Sequence, residues 1–232
     1  MPKRIPSAPD VSDPSRPPEI LQFKVWLLGI SPMVWRRVQV PDSMTLRELH
    51  GVIQVAMGWE GIHLFQFTLR AKPFGSLELA ARSPDVALSE LRLCQGTRFR
   101  YEYDLNGPWE HEVRLEGRHQ ADSQRTYPIC LDGDGSCPPE DCGGVAGFLA
   151  RREAWTTPEA GYDFAILAAF TDQLALKLST GGSIDAEEIN DVQEALERLE
   201  GRQGWQGNPF SRKAVNVRLS RAEYLDLMHQ QW

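Results

Sequence analysis

No stretch of this 232-residue sequence stays apolar for the roughly 20 residues that a membrane-spanning helix needs, and no segment of it repeats. Nor is there a basic excess: 25 lysines and arginines stand against 32 acidic residues, a formal charge of -7. Binding that relies on phosphate contacts draws its affinity from Lys and Arg. Net charge therefore disfavours nucleic acid as a partner, and the missing apolar run disfavours a membrane. The start, MPKRIPSAPDVSDPSRPPEI, is basic but no apolar stretch follows, so it does not read as a secretory leader. A reducing, cytoplasmic setting is expected, where cysteines are metal ligands or redox groups before they are disulfides. Paired CxxC elements, a phosphate-cradling glycine loop and a complete catalytic triad are all missing.

What is present is globular in composition, with 41% hydrophobic residues and seven tryptophans. Residues 1–19 carry six prolines and too little apolar surface to offset ordering, so they read as a disordered tail. From Ile20 the pattern changes. ILQFKVWLLGI alternates Leu21, Phe23, Val25 and Leu27 on one face, with Ile20, Trp26 and Leu28 on the other, as a central strand does. Ser31-Pro32 marks a turn, and VWRRVQV (34–40) is a second strand. Thr45 and Glu48 have capping-box spacing. Leu46, Leu49, Ile53 and Ala56 then share a helical face, and Gly58 stops the helix. HLFQFTLR (63–70) is a strand, and Ser89–Leu93 a short helical turn. FRYEYDL (99–105) and EHEVRLEGR (110–118) form a hairpin around Asn106-Gly107-Pro108.

Two helices are expected next, over 159–178, closed by Gly181-Gly182, and over the segment SIDAEEINDVQEALERLEG. The second places Ile189, Val192, Leu196 and Leu199 on one face; its many acidic residues read as a solvated surface. KAVNVRL alternates like a short strand, and a last helix is expected from Ser220 with Glu223 in capping-box position. The fold class is α+β: a mainly antiparallel sheet with a packed helix over 20–155, followed by a mostly helical extension over 156–232 with one short strand.

The chemistry concentrates in two places. YPICLDGDGSCPPEDCGG holds three of the four cysteines, Cys130, Cys137 and Cys142. They form a metal set if the loop folds back, with zinc as the candidate cofactor and His111 as fourth ligand; His119, Asp132 and Asp141 stand behind it. Against that, free cysteines are commonly buried apolar residues. The segment YEYDLNGPWEH gathers Asp104, Glu110 and His111, which are the catalytic candidates because a carboxylate beside an imidazole tunes its basicity. Arg36 and Arg37 lie on opposite faces of their strand, and either can meet a carboxylate or an anionic ligand. His50 and His63 read as core-edge histidines, and Trp59 and Trp109 as packing residues.

The stretches VWLLGISPMVWRRVQVPDSMTLRELHGVIQVAMGWEGIHLFQF, YEYDLNGPWEH and YPICLDGDGSCPPEDCGGVAGF, in this order, resemble the plasmid pRiA4b ORF-3-like family, also known as insertion-element passenger proteins with a resolvase-like label. The resemblance covers about residues 20–155. It implies an α+β fold, with the hairpin and the cysteine loop in one site, and it brings no established chemistry. The ligand pocket is then expected at Arg36, Asp104, Trp109, Glu140 and Asp141. Where the family's hairpin has Gly-Asp, this chain has Asn106-Gly107-Pro108, which counts against carboxylate-dependent catalysis. The intact CPPEDCGG, by contrast, is stiffened by its prolines. The reading that results is a binding module for a metal, small ligand, peptide or mobile-element protein. The alternatives are a metal-assisted hydrolase or nuclease, and a nucleic-acid-binding accessory protein.

Overall fold

The computed structural model describes residues 19–153, 157–183, 185–203 and 207–229. The proline-rich tail expected over 1–19 lies outside them, except for Glu19, which opens the first strand. The described chain forms two compact units. One comprises 19–105, 109–135 and 210–229; the other comprises 106–108 and most of 136–209.

The first unit is a seven-stranded antiparallel sheet. In chain order its strands are β1 (Glu19–Leu27), β2 (Trp35–Pro41), β3 (Phe65–Leu69), β4 (Lys72–Gly75), β5 (Arg98–Tyr103), β6 (Trp109–Gln120) and β7 (Ile129–Asp134). Across the sheet they run β4-β3-β5-β6-β1-β2-β7. β1 pairs on both sides, with Phe23 opposite Val38 and Val25 opposite Val113, as its two-sided apolar pattern requires. β4 and β7 were not legible in the sequence: β4 is only four residues long, and β7 lies in what reads as a loop. Ser89 and its neighbours form turns rather than a helix.

The two-residue period separates two faces. One carries Phe23, Phe65, Phe67, Phe99, Tyr101, Trp109, His111, Val113 and Leu115, all nearly or fully buried. Their rings pack edge-on or tilted, Phe23 on Phe99 at 6.0 Å and Phe67 on Tyr101 at 4.7 Å. The other face is laced by cross-strand ion pairs: Arg37–Glu116, Arg98–Glu112 and Arg100–Glu110.

Helix α1 (Leu46–Met57) has the expected capping box between Thr45 and Glu48, and Gly58 as its left-handed cap. The expectation of one apolar face is too narrow, because Val52, Val55 and Met57 are buried as well. The cause is a second covering layer from the C-terminal helices. KAVNVRL is not a strand but lies in helix α5 (Arg212–Ser220), and α6 (Glu223–Leu227) follows; both belong to the sheet unit. Val215 and Leu219, four apart, are its buried residues, so the alternation was incidental to a helical spacing. Ser220 does not cap α6, and Glu223 pairs with Arg218 instead. α6 comes so close to α1 that a Cβ on Gly51 would sit 2.0 Å from the Tyr224 carbonyl.

The open edge of the sheet at β7 is covered by one amide. Asn216 of α5 accepts from the Cys130 backbone N–H at 2.7 Å and donates to the Cys130 carbonyl at 2.9 Å, as a neighbouring strand would.

The second unit is helical: α2 (Gly144–Glu153), α3 (Pro158–Thr180) and α4 (Ala186–Gln203). α3 begins at Thr157, which caps Ala160, and ends at Gly181. Asp163 pairs with Arg198, and Lys177 with Glu188, which makes α3 and α4 an antiparallel hairpin. No helix among the described residues is long and apolar enough to cross a membrane.

Candidate functional site

The residues that carry chemistry in the sheet unit gather where α1 ends, β3 begins and the β5–β6 hairpin turns. Trp59, just past α1, stacks on Tyr103 at 5.3 Å and leans on Trp109 at 5.5 Å. His111 meets the edge of Trp59 at 5.5 Å. Register explains the gathering: Tyr103 pairs with Trp109 in one ladder and with Phe65 in the other, so the strand ends are aligned.

Asp104 follows β5 directly. Its side chain is 9% exposed, and its backbone is left-handed at φ 56. A non-glycine residue held there pays a conformational penalty that its surroundings must impose. The backbone bond from Asp104 N–H to the Leu64 carbonyl at 3.0 Å helps hold it. The carboxylate Oδ1 lies 3.9 Å from Nδ1 of His63, whose ring stands edge-on to Tyr103 and whose backbone N–H donates to the Tyr103 hydroxyl. Sequence reasoning placed His63 at the core edge and missed its partner. The signal was available in principle: His63 opens the strand that follows the tryptophan, and pairing of that strand with β5 brings it beside residue 104.

The other catalytic candidates separate. His111 is fully buried and directs Nδ1 to the Tyr101 carbonyl at 3.3 Å, while Nε2 has no hydrogen-bond partner among the described residues. Burial pushes its pKa down to about 3, opposed by the backbone carbonyls of Tyr101 and Trp109. Glu110 faces the opposite side of β6, where it pairs with Arg100, so it does not orient the neighbouring imidazole.

His50 is also buried and neutral, its pKa lowered to about 3 by burial first and by the Arg47 charge second, with the Leu227 carbonyl opposing. It meets the Tyr101 hydroxyl at 2.7 Å, which also accepts from Gln54 at 2.7 Å, and it stacks on Phe65 at 3.8 Å. This network ties α1 to the sheet.

Arg36 is enclosed by protein groups. It is 1% exposed, stacks on Phe210 at 4.3 Å, and donates to the carbonyls of Ala56, Trp35, Asp134 and Gly135. It joins the end of α1 to the edge of the sheet. Arg37 is on the open face, where Glu116 raises its pKa through a hydrogen bond.

The cysteines do not share one loop. Cys130 is on β7, with its thiol directed to the Asp132 carbonyl, and burial pushes its pKa up to about 11. Cys137 and Cys142 belong to the second unit. The Cys137 backbone exchanges two hydrogen bonds with Asn208, at 3.0 and 2.9 Å. The Cys142 thiol is directed to the Gly144 carbonyl, and burial raises it to about 11 as well. Without a metal, Cys130 and Cys142 are therefore protonated at neutral pH and are poor nucleophiles. Glu140 is partly exposed and Asp141 exposed in that unit. There the hairpin tip 106–108 packs on Gly143-Gly144 so tightly that a Cβ on Gly144 would lie 2.6 Å from Gly107 backbone atoms. Gly144 is thus required by contact with the tip, and Gly143 by its left-handed backbone at φ 82.

The chain is 36% identical over 146 residues to the uncharacterized protein y4hQ of Sinorhizobium fredii, covering 60% of this chain and 74% of that one. It is also similar to the crystal structure of a protein of unknown function from Methanosarcina mazei Go1, with a TM-score of 0.57 and 31% identity, covering 62% of this chain and 85% of that one. The description "Plasmid pRiA4b ORF-3-like protein" matches residues 19–173, which span the sheet, the hairpin and the CPPEDCGG loop. The chain belongs to the plasmid pRiA4b ORF-3-like family.

Proposed function

We propose that the chain is a binding module that holds a divalent cation, zinc first, through the His63 imidazole and the Asp104 carboxylate, and offers its open positions to a small ligand or peptide. A place beside mobile elements belongs to the same proposal and rests on the plasmid in the family's description. The observation that supports it is Asp104 itself: a buried carboxylate, kept at positive φ, 3.9 Å from an imidazole nitrogen. Two donors at about 2.1 Å from one tetrahedral zinc stand about 3.4 Å apart, so a small rotation of either side chain would suffice. Imidazole and carboxylate together suit zinc, and vacant positions are what a ligand-binding centre needs.

The test is elemental analysis of full-length protein purified without chelator or immobilised nickel, followed by calorimetric titration with zinc. One equivalent should bind, and His63→Ala and Asp104→Asn should each abolish it. Asp104→Gly should lose zinc yet keep or gain up to about 1 kcal/mol of stability, because glycine accepts the backbone conformation. Zinc uptake unchanged in these variants but lost in the Cys137→Ser, Cys142→Ser pair would assign the metal to the thiols. A wild-type chain that takes up no zinc would sink the proposal.

A further inference from the structure

The far edge of the sheet from Asp104 carries a second feature. β7 and α5 enclose an open groove of about 710 Å³, within the size range of small-molecule sites. β5 and β7 are four strand spacings apart in the sheet order, or roughly 19 Å at ordinary strand separation, so the groove is separate from the His63–Asp104 pair. Its apolar wall is Ile129, Leu131 and Val217, and its cations are Arg125, Arg212 and Lys213; no acidic side chain is among its lining residues. In a chain of net charge -7, a groove lined by three cations and no acid is a local excess of positive charge.

The placement of Arg212 and Lys213 costs stability. Arg212 opens α5 and Lys213 follows it, at the end of the helix that is already positive, and the first turn holds no acid. Arg212 donates to the Leu131 carbonyl at 3.2 Å, Arg125 pairs with Asp122 at 3.2 Å, and Lys213 has no partner among the described residues. An anion in the groove would relieve Arg212 and Lys213 and give Arg125 a second partner. A phosphate monoester matches better than a carboxylate, because its two charges and three terminal oxygens can engage several cations at once. A polyanion fits less well, since the cations sit in one pocket rather than along a stripe. Cys130 also lines the groove, but its protonated, buried thiol offers the ligand a wall and not a nucleophile.

We propose that this groove binds a small phosphorylated molecule with an apolar body, its phosphate held by Arg125, Arg212 and Lys213 and its body laid on Ile129, Leu131 and Val217. Calorimetric titration of the full chain with hexyl phosphate tests it, with inorganic phosphate, hexanol and a 20-nucleotide single strand of DNA as comparators. Hexyl phosphate should bind more tightly than inorganic phosphate, and hexanol not measurably. Lys213→Ala and Arg125→Ala, neither of which removes a bond to the β7 backbone, should each weaken hexyl phosphate by roughly tenfold, the scale of a charge-assisted hydrogen bond. Val217→Asp, which adds a negative charge to the wall, should abolish binding while the melting temperature reports an intact fold. No binding of hexyl phosphate, or equal binding by these variants, would overturn the assignment. Tight binding of the DNA strand with none of hexyl phosphate would overturn it in favour of a nucleic-acid surface.

Discussion

In β5 and β6, Tyr101, Tyr103, Trp109 and Val113 are all 0% exposed, whereas in α3 Leu176 and Leu178 are 63% and 78% exposed. Both segments are rich in apolar residues, and the difference lies in their spacing. The strands put every second side chain on the covered face, and ion pairs such as Arg98–Glu112 and Arg100–Glu110 on the other. The segment FAILAAF and LALKL of α3 sets apolar residues around most of the helix, and among its buried residues are only Ala160 and Asp163. Burial, and with it stability, follows from apolar residues that share a face.

The contrast can be broken most sharply by truncation on each side. Trp109→Ala should lower unfolding free energy by about 3–5 kcal/mol in urea titrations, because it removes a fully buried indole. Leu178→Ala should stay within about 0.5 kcal/mol of wild type, as surface changes do. Equal losses would mean that α3 is covered in solution. Next in size, Arg36→Met should cost about 3 kcal/mol, since it strips the donor from several buried carbonyls at once; preserved stability would show that solvent replaces the guanidinium.

The third effect is set by pH. His50 and His111 are held neutral with pKa values near 3, below the ordinary 6.5. The unfolded chain then binds more protons than the folded one between those values. The stabilisation is complete above pH 6.5 and is lost as pH falls toward 3, by about 1.4 kcal/mol per histidine for each pH unit. Urea midpoints measured from pH 7 to 5 should decline, and less steeply in His111→Phe; a flat profile would show that the rings are hydrated. The smallest change is expected on the open face of the sheet. Arg100→Gln should cost less than about 1 kcal/mol and lose its effect in high salt, because the pair with Glu110 is half exposed.

The legibility of the molecule divides in the same way. The strands with clean alternation, and α1 with its capping box and terminal glycine, were readable because local pattern and burial agree. β7 was not, because Asp132, Gly133 and Asp134 are poor strand residues, held there by pairing with β2. α5 was misread as a strand because Asn216 and Arg218, set between Val215, Val217 and Leu219, imitate an alternation. Of the candidate site, Asp104 was singled out by its chemistry alone; its positive φ and its neighbour His63 depend on the alignment of β3 with β5. Arg36 was read as a ligand residue because the sequence gives its charge but not the four carbonyls around it.

The amide of Asn216 has a consequence for solution behaviour. An uncovered border strand invites pairing with another chain, and here a single side chain occupies the main-chain groups of Cys130 that a newcomer would use. Asn216→Ala should therefore change the colloidal state before it changes the fold. Light scattering should show concentration-dependent clusters in a protein whose circular dichroism still reports an intact sheet. The last helices would then act as a sheath that keeps each copy of the sheet to itself.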